Sequence, residues 1–235
     1  VLEEWRDWMI DYQNSHIEYE NSDGEIARAP LRNSYQNKYA KKYYARMQDF
    51  KRSVEREFES VTAVMLTFTA SHLNRNGKPR CIGDHLRDII DGWSSGVKQS
   101  LHRVLSGYTW EYARIVEPHK DGFGHVHFAV FVDDPADTLD QSDFRPVMEA
   151  HCRAVQSAGS DAHSNEPCEF HSERVANPWN AAEGTCDDCD NPVSVNSGVN
   201  DIAQYMMEYL SAFGESPLDR SLSEQLFFAV TWVTN

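Results

Sequence analysis

Two histidines one residue apart, His125 and His127, open the apolar run HVHFAVFV. In a β-strand, residues i and i+2 face the same way, about 6.6–7 Å apart. The β-branched and aromatic content of the run favours a strand. Two imidazoles side by side suit a divalent metal ion; they equally suit a half-buried strand whose polar face carries hydrogen-bonded histidines. Glu117 ends the preceding predicted strand, so a hairpin across HKDGFG sets a carboxylate beside His125. Two neutral nitrogens and one carboxylate, with positions left open for water and substrate, make a site of Lewis-acid type. His119 and Glu111 compete for the third place. Strand parity does not separate Glu111 from Glu117, and Glu117 is preferred on proximity alone.

Two further groups carry chemistry. Tyr205 and Tyr209 lie four apart in DIAQYMMEYL, so in a helix both hydroxyls project from one face. The same spacing also reads as a core stripe with Ile202, Met206 and Leu210. Cys168-x2-His171 and Cys186-x2-Cys189 form two ligand knuckles that can close a tetrahedral Cys3His zinc site. That site has no open position, so the expected zinc is structural. It would staple an irregular insertion that otherwise lacks a core. A disulfide reading is weaker, because nothing indicates secretion.

The elements that must position these groups are readable in outline. Helix is expected over Leu2 to Ile17, then a turn at NSDGE, then a long helix from about Leu31 to Glu59. VTAVMLTFTAS, Val61 to Ser71, reads as a strand, and NRNGKPR as a loop. Asp84 to Leu105 reads as helix interrupted near GWSSG. Tyr108 to Pro118 and His125 to Val132 read as strands of one antiparallel hairpin. Helix follows over about Ser142–Ser157, an irregular stretch over Gly159–Ser197, and helices around Val199–Ala212 and Leu218–Val233. This order predicts an α+β fold: a central antiparallel sheet flanked by helices. Three parts are expected: an N-terminal helical, partly basic segment (1–60), a core (61–158 and 198–235) and a zinc-binding insertion (159–197).

Composition narrows the partners. With 235 residues and six tryptophans the chain can bury a sizeable core. It has no apolar run long enough for a membrane span and no secretory signal pattern, which points to the cytoplasm. It begins at Val1 and stops at Asn235, and it is expected to be part of a longer protein. The net charge of −15 argues against a broad nucleic-acid footprint. The distribution argues otherwise. Between Arg28 and Glu59 nine basic residues face four acids, interleaved with Tyr35, Tyr39, Tyr43 and Tyr44. Lys38, Lys41, Lys42 and Arg46 are therefore candidate phosphate contacts with stacking groups alongside; a solvated helix face with core tyrosines is the alternative. The remaining acidity, with arginine outnumbering lysine, is the pattern expected of a salt-rich cytoplasm.

Taken together, MLTFTAS, EPHKDGFGHVHF and YMMEY resemble the three ordered motifs of HUH endonucleases. In particular they resemble the rolling-circle replication initiators, or Rep proteins, of plasmids and small viruses, haloarchaeal ones included. The resemblance covers roughly residues 61 to 212. It implies that His125 and His127 stand on a central strand, with Glu117 completing a site for Mn2+ or Mg2+. It implies that Tyr205 or Tyr209 attacks a phosphodiester of single-stranded DNA, giving a 5′-phosphotyrosine and a free 3′-OH primer. Partners would be single-stranded or hairpin DNA at a replication origin, with a host helicase and polymerase. One departure stands out: such initiators often carry a lysine in the tyrosine motif, where this chain has Glu208. A transposase or relaxase of the same superfamily shares the chemistry. A zinc-stapled DNA-binding regulator without catalysis is the alternative from another class.

Overall fold

The computed structural model describes residues 1–31, 37–74, 76–119, 121–155, 157–158, 193–198 and 216–234. It is an α+β protein built on one four-stranded sheet. Strands β3 (Val61–Phe68), β4 (Trp110–Pro118), β5 (Gly124–Asp133) and β6 (Val193–Ser197) order as β4-β5-β3-β6, every pairing antiparallel. β5 is central and buried from Gly124 to Val132. A strand covered on both faces needs apolar side chains on both, and this explains its near-continuous hydrophobic run.

The two faces are covered differently. Val126, Phe128, Val130 and Val132 join Val64, Leu66 and Phe68 in the main core. Over them lie α1 (Leu2–Asn14), α3 (Ile82–Gly92), α4 (Lys98–Val104), α5 (Arg145–Ala154) and α6 (Leu222–Thr234). Trp93 stacks on Phe128 with ring centroids 4.0 Å apart, and Phe68 meets Phe128 edge-on at 5.3 Å. Trp5 and Met9 of α1 are fully buried against Phe228 and the rest of that core. The opposite face carries a smaller cluster: Ala63, Met65, Ala113, Ile115, Ala129 and Phe131 pack under Met47, Phe50 and Val54 of α2 (Asn37–Glu57). Among the described residues, α2 is the one helix on that face.

The expected interruption at GWSSG is real. α3 and α4 are joined by a π-helical segment, Trp93–Val97, in which Gly96 has φ +139°, a conformation that a β-carbon would oppose. Two expectations need correction. The first helix ends at Asn14, short of the expected Ile17, and the residues around the NSDGE turn form a hairpin of β1 (His16–Glu20) and β2 (Ile26–Pro30). Its strands are almost wholly exposed, Ile17, Tyr19 and Ile26 included. Period-2 alternation of Ile17 with Tyr19, and of Ala27 with Ala29, wins once the apolar helical period of α1 ends at Tyr12. Second, VSVNS is not irregular; it is β6, pairing with β3 from Thr62↔Ser197 to Leu66↔Val193. The helix expected from Ser142 begins as a 3-10 turn, Gln141–Phe144, whose Asp140 caps it through a reciprocal capping box with Asp143. The rest of the proposed zinc insertion and the helix expected at Val199–Ala212 lie outside the described residues.

Candidate metal centre

The β4–β5 hairpin closes through a turn that the sequence dictates. Gly122, at φ +86°, donates its N–H to the His119 carbonyl, and the His119 N–H donates to the Phe123 carbonyl at 2.6 Å. The resulting register sets Glu117 opposite His125 and Ile115 opposite His127. On the other side of β5, Thr67 of β3 stands opposite His127. His125, His127, Glu117 and Thr67 therefore share one face, the face that α2 covers further along the sheet.

Three atoms converge there. Glu117 Oε2 lies 3.1 Å from His125 Nε2 and 2.9 Å from His127 Nε2, and the two Nε2 atoms are 2.7 Å apart. Both histidine side chains are 10 % exposed and the Glu117 side chain 18 %, so the cluster is largely desolvated but still reachable. A triangle with these sides has a circumradius of about 1.7 Å, shorter than the roughly 2.0–2.2 Å of metal–nitrogen and metal–carboxylate bonds. Glu117, His125 and His127 would hold a metal ion, which would supply Lewis-acid chemistry there. The donor set of two imidazoles and one carboxylate fits a divalent ion of borderline hardness. This buried Glu–His–His group could hold a metal ion.

The two histidines are supported differently. Nδ1 of His127 is 2.9 Å from Thr67 Oγ1. For Nε2 to present its lone pair to an ion, Nδ1 must carry the proton and donate to that hydroxyl. His125 Nδ1 is buried without a hydrogen-bond partner among the described residues. Its support comes through the backbone, where His85 Nε2–H donates to the Gly124 carbonyl at 3.0 Å. Burial holds His85 neutral below its ordinary value, outweighing the opposing pull of that bond. A β-carbon on Gly124 would sit 2.8 Å from Phe227 Cε2 and 3.2 Å from Leu86 Cδ1. A side chain there would crowd Phe227 and Leu86, because the helices press on the entry to the histidine strand.

The register brings Glu117, and not Glu111, beside the two histidines. Glu111 pairs with Phe131, six residues along β5 from His125, and is exposed. His119 lies at the rim, its ring centroid 4.6 Å from that of His125; it is not among the three converging groups. Tyr205 and Tyr209 lie outside the described residues, as do Cys168, His171, Cys186 and Cys189. Lys41, Lys42 and Arg46 are exposed on α2, Arg46 lying 5.3 Å from the Tyr43 ring centroid. Lys38 lies in the same helix, and its side chain is outside the described residues. Sequence reading missed Thr67 and His85. Their roles depend on pairings 60 and 39 residues away.

Residues 1–235 match the family described as "Putative rep protein (DUF1424)". A protein of Halobacterium salinarum named "Uncharacterized 36 kDa protein" is 29% identical over 238 residues, covering 100% of this chain and 70% of its own length. A protein of the same name from Halobacterium sp. (strain GN101) is 26% identical over 243 residues, with the same coverage. No solved structure matches.

Proposed function

We propose that this chain, which belongs to the rep-protein family, is a metal-dependent single-stranded DNA endonuclease and strand-transferase that nicks a replication origin. The observation that carries this reading is the convergence of Glu117, His125 and His127 on one sheet face. Held there, Mg2+ or Mn2+ would polarise the scissile phosphate and stabilise the leaving 3′ oxygen. The two imidazoles and the carboxylate hold fixed positions because three paired strands fix their backbone, so little reorganisation accompanies reaction. A tyrosine hydroxyl, Tyr205 or Tyr209, loses its proton and attacks phosphorus in line with the departing 3′ oxygen. The new bond is tyrosine O–P and the broken bond is P–O3′; the 3′ oxygen takes up a proton. Bond energy is retained in the 5′-phosphotyrosine, so attack by a 3′-OH reverses the step and joins strands. Two tyrosines allow successive cleavage and closure. Zinc on Cys168, His171, Cys186 and Cys189 belongs to the same reading as a structural staple, and a host helicase and polymerase would extend the 3′-OH.

The test is intact-protein mass spectrometry after incubation with a randomised single-stranded DNA pool and Mn2+. A DNA-sized gain in mass is expected for the wild-type chain. It should be absent with chelator, absent from the Tyr205→Phe/Tyr209→Phe variant, and absent from His125→Ala/His127→Ala with the fold retained. An adduct that survives the double phenylalanine change would place the nucleophile elsewhere. No adduct from a chain that binds Mn2+ and DNA would leave the non-catalytic regulator as the better reading.

A further inference from the structure

The charges of α2 are sorted along its length. In its carboxy-terminal half every cation has an acid beside it: Lys51 pairs with Glu55 at 3.6 Å, Arg52 with Asp49, and Arg56 with Glu57 at 2.7 Å. Its amino-terminal half, NKYAKKYYARMQ, contains no acid. There Lys41, Lys42 and Arg46 are exposed and have no carboxylate within ion-pair distance among the described residues. Exposed pairs of the first kind are nearly neutral to an approaching anion. The second kind is a free positive patch on a chain of net charge −15.

The packing says where that patch lies. The carboxy-terminal end of α2 is tied to the far end of the sheet, where Asp133 Oδ1 accepts from the N–H groups of Glu59 and Ser60 at 2.8 and 3.1 Å. Phe50 meets Phe131 edge-on at 5.5 Å, and the packed patch reaches Ile115, the cross-strand neighbour of His127. α2 thus lies on the face that Ile115 shares with His127. Lys42 lies about 12 Å from Phe50 along the helix axis, at 1.5 Å per residue. His127 lies about 14 Å from Phe131 along β5, at 3.4 Å per residue. Laid along β5, the unneutralised half of the helix would come level with the Glu–His–His group on the same face, and the neutralised half would stay away from it.

We infer that the amino-terminal half of α2 is the rail that leads a single DNA strand to the metal centre. Lys41, Lys42 and Arg46 each take a phosphate, with Tyr44, which is exposed, as a stacking surface. The carboxy-terminal half is a sheet cover with no part in binding. This inference rests on the nickase reading for the identity of the strand.

The experiment compares two triple variants of equal charge change: Lys41→Gln/Lys42→Gln/Arg46→Gln and Lys51→Gln/Arg52→Gln/Arg56→Gln. Binding of a fluorescein-labelled, randomised single-stranded oligonucleotide is measured across about 0.1–1 M salt. At about 0.7 released counterions per phosphate, the first triple should flatten the log–log salt slope by about 2 and cut affinity at 0.1 M on the order of 100-fold. The second triple should keep the wild-type slope. Equal losses in both, an unchanged slope in the first, or no binding by the wild-type chain at any salt overturns the inference. Should the first triple fail to fold, Lys42→Gln alone should flatten the slope by about 0.7, and no change there overturns the inference equally. Mn2+ binding and adduct formation by the wild-type chain are read in parallel. If they are absent while the two triples still differ, the nickase reading falls and the rail stands.

Discussion

Replacing Thr67 by Val keeps the shape of a β-branched strand residue and removes the hydroxyl 2.9 Å from His127 Nδ1. Without an ion the ring has a way out: it can move its proton to Nε2, donate to Glu117 Oε2 at 2.9 Å, and leave no buried N–H unpaired. With an ion bound, Nε2 must offer its lone pair, so Nδ1 keeps a proton that now faces a methyl group. The cost therefore falls on the metal-bound state. An unsatisfied buried donor costs about 1–3 kcal/mol, and loss of an outer-shell partner typically weakens metal binding about 10–100-fold. Thr67 is only half-buried, so water can replace part of the bond and the lower end applies: about tenfold. Mn2+ titration by calorimetry measures this, with thermal unfolding in chelator as the second readout. Thr67→Val should weaken Mn2+ about tenfold and leave the unfolding midpoint in chelator where it was, and Thr67→Ser should restore binding. Binding within about twofold of wild type would refute the reasoning, since the hydroxyl would then not be fixing the tautomer. An equal loss of stability in chelator would make Thr67 a packing residue.

Two other perturbations follow from the entry to β5. Gly124→Ala places a β-carbon 2.8 Å from Phe227 Cε2, and urea unfolding should show a loss of about 1–3 kcal/mol from overpacking; no loss would mean that the ring swings aside. His85 is held neutral by burial below its ordinary value of 6.5. As pH falls below that value, the unfolded chain takes up a proton that the folded chain resists, so stability drops with pH. His85→Gln, whose amide can still donate to the Gly124 carbonyl, should flatten stability against pH below 6.5 relative to wild type. An unchanged pH profile would show that His85 is not the group that resists protonation.

What the sequence reveals depends on how far apart the partners are. The β4–β5 hairpin is local: alternation on both arms and a glycine turn fix parity, so Glu117 beside His125 is legible within nine residues. Parity repeats every two residues, and Glu111 stays in contention until the register is known. The partner of β5 on its other edge is β3, more than fifty residues earlier, and no local pattern says so. Thr67 beneath His127 is invisible for that reason. His85 reads as one polar position on a helix; only the packing of α3 on β5 turns it into a buried donor. β6 is five residues long with a polar end, and it becomes a strand because β3 offers an edge. The arms of the β1–β2 hairpin are five residues each, so its period-2 signal is faint. The direction of α2 over the sheet, which decides what its lysines stand near, is wholly tertiary.

The proposed rail would also reconcile a net charge of −15 with a nucleic-acid partner. Attraction at a distance depends on the sum of charges, and at low salt a polyanion would be repelled by this chain. Contact depends on which charges lie within a screening length, about 3 Å at 1 M salt against about 10 Å at 0.1 M. In concentrated salt the acids elsewhere on the surface would be silent to a strand lying on α2, while Lys41, Lys42 and Arg46, on the proposed reading, would still touch it. Counterion release is weakened under the same conditions, so three phosphate contacts alone hold a strand poorly there. Stacking and inner-sphere contact at the Glu–His–His group, both of which tolerate salt, must then supply the remaining hold. A strand would be retained where rail and metal centre are engaged together, and released from the rail alone. On the proposed reading, the acidic surface would thereby add selectivity for a strand that engages rail and metal centre at once.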